Sequence, residues 1–332
     1  MSLLAHYDAL LVDLDGTVYR GAAAVPGADA AIRAAHRAGV GVRFVTNNAS
    51  RSPDDVAEHL NRLGIPAKPT EITTSAQAGA SLLVNRIAPG DTVLVLGTDA
   101  LVAAVAAHGF PTVRAADADV RAVIQGFSPD LGWRDLAEAA IAIRAGALWV
   151  ACNVDVTLPT ERGLLPGSGS LVAAVRVATD ATPLVAGKPE RPLMDDAIRA
   201  EGATRPLAVG DRLDTDIAGA VNVGVDSLLV FTGVSTPADL LAAPLSTRPT
   251  YIAADLRGIE QDGTAIAAQP GWRVGLADDA LTLGATGDGD DMAALRALCA
   301  TWWRGEGGPV RVRALDAAAA GVVNRLGLPA AS

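Results

Sequence analysis

The sequence runs to 332 residues, half of them hydrophobic and 19% charged, more chain than one ordinary domain needs. That much apolar material can bury a sizeable core and excludes general disorder. The charge, 27 basic against 37 acidic residues for a net −10, has the wrong sign for a general binder of nucleic acid or of an anionic membrane.

The chain opens with an apolar run, Ala9-Leu10-Leu11-Val12, that reads as a buried strand ending at Asp13. Pro26-Gly27 starts a helix over residues 28–37, closed by Gly39. Residues 40–45 form a second strand, and Ser52-Pro53-Asp54 opens a helix that stops at Gly64. Strands alternating with helices at this spacing predict a parallel sheet covered on both faces. A second series follows, with strands at 92–96, 120–126 and 147–151 and helices at about 99–108 and 133–145. Strands at 184–188, 207–211 and 227–231, with helices near 192–201 and 214–223, resume the first rhythm. This reads as two blocks of one sheet with an αβ module inserted between them. After about 260 the pattern changes: residues 284–289 (GATGDG) read as a loop, 290–304 as a helix and 310–313 as a strand. No run of 18 apolar residues escapes a charge, the best being broken at Asp99 and Arg144, so no membrane span is expected. No basic residue precedes Arg20, unlike the start of a secretory signal. Cys152 and Cys299 lie far apart with no metal-ligand spacing, as reduced thiols of a cytoplasmic protein would.

Chemistry gathers where strands end. Asp13 and Asp15 stand two apart in Asp13-Leu14-Asp15-Gly16-Thr17, a spacing that turns both carboxylates to one side. At the carboxyl edge of a parallel sheet they would face the crevice where ligands bind. An Asp-Gly turn leaving the strand is the plainer alternative. Three further strand ends add polar groups: Thr46-Asn47-Asn48, Gly187-Lys188-Pro189, and Gly210-Asp211 with Asp214 and Asp216 beyond. Carboxylates, amides, a hydroxyl and one ammonium suit a hard, oxygen-ligated cation such as Mg2+ beside a phosphoryl group. They do not suit zinc, since no His or Cys joins them. Of the 27 basic residues only Lys68 and Lys188 are lysines. A chain that otherwise writes arginine places a compact ammonium between Gly187 and Pro189, at one of these strand ends.

These motifs, LLVDLDGTVYRG (10–21), FVTNNAS (44–50), GKP (187–189) and VGDRLDTDI (209–217), with CNVDVTLPTERGLLPGSGSLVAAV (152–175), occur in one order over roughly residues 1–255. In them the chain resembles the haloacid dehalogenase-like (HAD) phosphatases. It is similar in particular to the NagD-like type IIA group, which includes phosphoglycolate, pyridoxal-phosphate and actinobacterial glycerol 3-phosphate phosphatases. The resemblance implies an α/β fold: a Rossmann-like core (1–78 and 186–260), an inserted α/β cap of C2 type (79–185) and a small C-terminal α/β extension (261–332). The extension resembles a fragment of an acetyltransferase-like (GNAT) fold, without a convincing pyrophosphate loop, and a structural or oligomer-forming role is expected of it. A homo-oligomer is accordingly an expected partner state.

By the same resemblance Asp13 is the nucleophile and Asp15 the general acid and base. Asp13, the backbone carbonyl of Asp15 and Asp211 hold Mg2+, with Asp216 behind them. Thr46 and the backbone N–H of Asn47 bind the phosphoryl oxygens, and Lys188 neutralises charge. Asn153 and Asp155 face the substrate's leaving group, as do residues 166–169 unless Ser168 or Ser170 only caps the following helix. Asp214 is expected to cap a helix, and Asn48 and Ser50 to shape a turn. The implied reaction is hydrolysis of a small-molecule phosphomonoester, preferably glycerol 3-phosphate, through an aspartyl-phosphate. Phosphoglycolate, pyridoxal phosphate and sugar or nucleotide phosphates are alternatives within the family. A dehalogenase would dispense with Asp15 and Mg2+, and a silent scaffold would have lost charged site positions; none is lost.

Overall fold

In the computed structural model, which describes residues 2–117, 119–160, 162–277 and 279–331, the chain divides into two units. Residues 1–20, 24–42 and 203–332 form the first, and residues 21–23 and 43–202 the second. Glu161, inside the 152–175 motif, lies outside the described residues.

In the first unit the strand Ala9–Val12 is buried at all four positions and pairs in parallel with Pro206–Gly210. Asp226–Val230 and Tyr251–Ala253 extend the ladder, each parallel to the one before. Continuous apolar strands of this kind require cover on both faces. Part of it comes from helix Ala28–Arg37, which buries Ala28, Ala31, Ile32 and Ala35 at helical spacing. Val12 stands opposite Val209, so the chain emerges from both strands at one edge, at Asp13 and Asp211.

The helix expected over 214–223 begins as a π turn, Leu213–Ile217, and continues as Ala218–Val223. Asp214 does not cap it. Its carboxylate is held by the Arg212 guanidinium at 3.0 and 2.7 Å, while Asp216 Oδ2 accepts the Arg212 N–H at 3.1 Å. An acid two residues after Arg212 meets its fork; one four residues after it folds back onto its N–H.

The single helix and strand expected after residue 260 fall short of what forms there. Trp272–Ala277 runs antiparallel to Ala280–Ala285, which runs parallel to Arg311–Ala314, and helices Asp291–Trp302 and Ala317–Arg325 accompany them. The GATGDG segment therefore begins inside a strand. Leu281, Leu283, Leu295, Leu298, Val312 and Val322 share one buried cluster with Ile217, Leu229, Leu240, Leu241 and Ile252. The tail thus completes the core of the first unit instead of enclosing a separate one.

The second unit is built on five parallel strands in the order Leu184–Val185, Leu148–Ala151, Val120–Gln125, Thr92–Leu96, Thr112–Val113. Side chains alternate between its faces. Val93, Val95, Ala122, Ile124 and Val150 pack with Ala76, Ala80, Leu83, Leu101 and Val105. Leu94, Leu96, Val123, Trp149 and Ala151 pack with Ala139, Ile143, Val172 and Val175. A shorter ladder joins Phe44, Val45 and Thr46 to Ile72, Thr73 and Thr74. The strand expected over 184–188 covers only Leu184–Val185, and beyond it a Cβ on Gly187 would strike Asn47 and the Cys152 carbonyl. Unforeseen is the hairpin Thr157–Thr160 with Gly163–Pro166, which leaves Leu158, Leu164 and Leu165 exposed.

Candidate active site

In the first unit one oxygen each from Asp13, Asp211 and Asp216 lies within 4.8 Å of the others. Asp211 and Asp216 are buried, and Asp13 is half-buried. Asp13 is fixed at the strand end by its N–H, which donates to the Val209 carbonyl at 2.8 Å. Asp211 is oriented from two directions: Oδ1 accepts from Thr17 Oγ1 at 3.3 Å and Oδ2 from the Val234 N–H at 2.7 Å. The segment after Val230 is moulded to it. The Ser235 N–H donates to the Asp211 carbonyl at 3.1 Å, and Thr232 Oγ1 donates to the Gly16 carbonyl at 2.7 Å. A Cβ on Gly16, whose φ of +89° favours glycine, or on Gly233 would overlap the Asp211 carboxylate. Asp15 is exposed, with Tyr19 Oη donating to its Oδ2 at 3.2 Å.

Three carboxylates at this separation, two of them out of water, repel unless a cation compensates them. The donors are oxygens only, which fits Mg2+. Asp216, expected behind the ligands, has an oxygen within 4.8 Å of those of Asp13 and Asp211.

In the second unit Asn47 is the hub. Its Oδ1 accepts the Lys188 N–H at 2.7 Å, and its Nδ2 donates to the Lys188 carbonyl at 3.0 Å and to Asp155 at 3.2 Å. Its own carbonyl accepts from Ser75 Oγ at 2.5 Å and from Asn153 Nδ2 at 2.7 Å. Asn153 is 5% exposed and also takes the Asp155 N–H on Oδ1 at 3.2 Å. The side chain expected at the leaving group is therefore buried and committed to loop contacts. Lys188, 3% exposed, donates from Nζ to the Val45 carbonyl at 2.9 Å, and its peptide bond to Pro189 is cis. Thr46 Oγ1 accepts the Asn48 N–H at 3.1 Å. Asn48 Oδ1 takes both the N–H and the hydroxyl of Ser50 at 2.7 Å, the turn expected of that pair. Ser170 Oγ donates to the Val156 carbonyl, and helix Ser168–Thr179 is entered from Gly167 with no side-chain cap.

Sequence reasoning missed Thr17, Tyr19 and the segment 232–235. Thr17 stood inside a quoted motif and Gly233 was visible as punctuation. Val234 acts through its N–H, which every residue but proline carries, so its identity held no signal.

Residues 10–111 match the model of the haloacid dehalogenase-like hydrolases, and residues 185–259 a HAD-hydrolase-like model. Residues 269–328 match a GCN5-related N-acetyltransferase-like domain. The chain is 47% identical to a D-glycerol 3-phosphate phosphatase of Mycobacterium tuberculosis, over 98% of this chain and 96% of that one. It superposes on a crystal structure of the M. tuberculosis glycerol phosphate phosphatase in complex with magnesium with a TM-score of 0.94, at 48% identity and 99% coverage of each chain. An acid sugar phosphatase of Staphylococcus saprophyticus is 36% identical over 77% of this chain and 98% of its own.

Proposed function

The chain belongs to the haloacid dehalogenase-like hydrolases, in their NagD-like type IIA group, and from that premise we propose how its residues divide the work of a phosphatase. It is a phosphoric monoester hydrolase that uses Mg2+ and acts on a small-metabolite phosphomonoester, glycerol 3-phosphate by preference. The observation that carries this reading is the carboxylate set in which Asp211 and Asp216 are buried while Asp13 keeps access.

Asp13 attacks phosphorus, the bond from phosphorus to the substrate's alkoxy oxygen breaks, and Asp15 gives its proton to the departing oxygen. A water then attacks phosphorus in the aspartyl-phosphate and passes a proton to Asp15. The bond to Asp13 breaks, releasing inorganic phosphate and restoring both carboxyl groups. Tyr19, bonded to Asp15, orients the group that moves the proton. Thr46 and the Asn47 N–H bind the phosphoryl oxygens, and Lys188 supplies a fixed positive charge. Asn47, Asn153 and Asp155 hold the Lys188 loop in shape. Asp13, the Asp15 carbonyl and Asp211, with Asp216 adjoining, would hold Mg2+, which when bound neutralises the carboxylates and the phosphoryl oxygens.

The proposed domains are a core (1–78, 186–260), a cap (79–185) and an extension (261–332). The five-stranded sheet, confined to residues 92–185, supports the cap. A cytoplasmic setting is proposed as well, supported by two buried thiols; burial pushes Cys152 up to about 12 and keeps it unreactive. Among the described residues no helix is long and apolar enough to cross a membrane.

Phosphate release from p-nitrophenyl phosphate tests the reaction class: it should be lost in EDTA and restored by Mg2+, and persistence in EDTA would contradict the reading. A panel of glycerol 3-phosphate, phosphoglycolate, pyridoxal phosphate and sugar phosphates at fixed Mg2+ then ranks substrates, with glycerol 3-phosphate expected to give the highest kcat/KM.

A further inference from the structure

An acetyltransferase-like region implies an acyl-CoA, an anionic ligand whose diphosphate needs free N–H donors and positive potential, as at a helix N-terminus. The residues at the corresponding place in this tail do not fit one. The segment between strand Ala280–Ala285 and helix Asp291–Trp302 carries Asp288 and Asp290 and no basic residue, and the helix itself begins at Asp291. Three of the N–H donors along it and beside it are already engaged. The Ala285 N–H donates to Asp316 Oδ2 at 2.8 Å, the Thr286 N–H to the Gly271 carbonyl at 2.9 Å, and the Ala293 N–H to Asp290 Oδ1 at 2.6 Å. The space is filled too. The Trp272 indole donates to the Asp290 carbonyl at 3.1 Å, and a Cβ on Gly289 would strike its ring. Strands Ala280–Ala285 and Arg311–Ala314 stay paired as far as Leu283 and Ala314, and the Leu315 N–H donates to the Leu283 carbonyl at 2.8 Å, so they do not splay over this stretch to admit a pantetheine arm.

The groove beside Trp303 and Arg304 offers no substitute. Its inner cation, Arg248, lies over the Trp303 ring at 5.0 Å and donates to the carbonyls of Ala243, Trp303 and Glu306.

We propose that the acetyltransferase-like tail binds no acyl-CoA and serves as a brace that closes the hydrophobic core of the unit carrying Asp13, Asp211 and Asp216. Its contacts run to the strands and helices on which that unit depends. The Trp303 indole donates to the Leu241 carbonyl at 3.2 Å, and the Arg296 guanidinium to the Ile252 carbonyl at 2.8 Å. Leu295 and Leu298 lie in one cluster with Leu229, Leu240 and Ile252.

Calorimetric titration of the full chain, in Mg2+, with acetyl-CoA and with CoA tests the first half. No saturable heat up to millimolar ligand is expected; a dissociation constant in the micromolar range for either would overturn it. Thermal unfolding of Leu298→Ala, followed by calorimetry and by residual p-nitrophenyl phosphatase activity, tests the second. One cooperative transition, lowered by roughly 5–10 °C and tracked by activity, is expected. A separate early transition that leaves phosphatase activity intact would overturn the brace. Should Leu298→Ala fail to fold, Leu298→Val carries the same comparison with a smaller shift.

Discussion

At the scale of single residues, the proposed chemistry rests on Asp13, half-buried beside the buried Asp211 and Asp216. Asp13→Asn should lower kcat by a factor on the order of 10³ or more, because an amide is no nucleophile here, while its Tm stays near that of the parent; near-normal turnover would remove Asp13 from the reaction. A Cβ added at Gly233 would overlap the Asp211 carboxylate. Gly233→Ala should therefore displace that ligand and weaken Mg2+ binding about tenfold, read by titration calorimetry as well as by activity. Asp214 is a stability residue of a different kind. Its hydrogen bonds from the Arg212 guanidinium hold the carboxyl below the usual aspartate range. With the folded-state value depressed, its contribution is present above the ordinary aspartate value and fades as pH falls through the depressed one. Tm should thus stay level down to about pH 4 and then decline, and the decline should be shallower in Asp214→Asn.

At the scale of elements, the loop at 153–155 and the turn at 46–50 behave as one piece, since Asn153 holds the Asn47 carbonyl and Asn47 holds Lys188 at both its N–H and its carbonyl. Asn153→Ala should therefore lower kcat/KM on p-nitrophenyl phosphate and on glycerol 3-phosphate by similar factors. A change confined to one substrate would instead place Asn153 against the leaving group. Elements with strong local signals were legible from the chain alone: helix Pro53–Arg62 starts at Ser52, whose hydroxyl accepts the Asp55 N–H at 3.1 Å. Helix Ala317–Arg325 and the pair Trp272–Ala277 and Ala280–Ala285 were not, because an alanine- and glycine-rich tail gives little contrast between buried and exposed positions. The site followed the same division. Asp13, Thr46, Lys188 and Asp211 stand at strand ends inside recognisable motifs. The grip of Val234 on Asp211 and the return of Asp216 to Arg212 depend on backbone donors that no residue type announces.

At the scale of the whole molecule, the relatives differ in how much of this chain they cover. The staphylococcal acid sugar phosphatase aligns over nearly all its own length yet covers 77% of this chain. The M. tuberculosis glycerol phosphate phosphatase matches 99% of it, tail included. The tail's place in the core of the first unit fits a part that stabilises and adds no chemistry. The reaction itself is most directly tested by trapping. Enzyme quenched during turnover of glycerol 3-phosphate in Mg2+ and reduced with borohydride would have any aspartyl-phosphate converted to homoserine. Peptide mass spectrometry should find homoserine at position 13 and nowhere else, and none in EDTA. Reduction at another aspartate, or none at all while turnover proceeds, would contradict the assignment of Asp13.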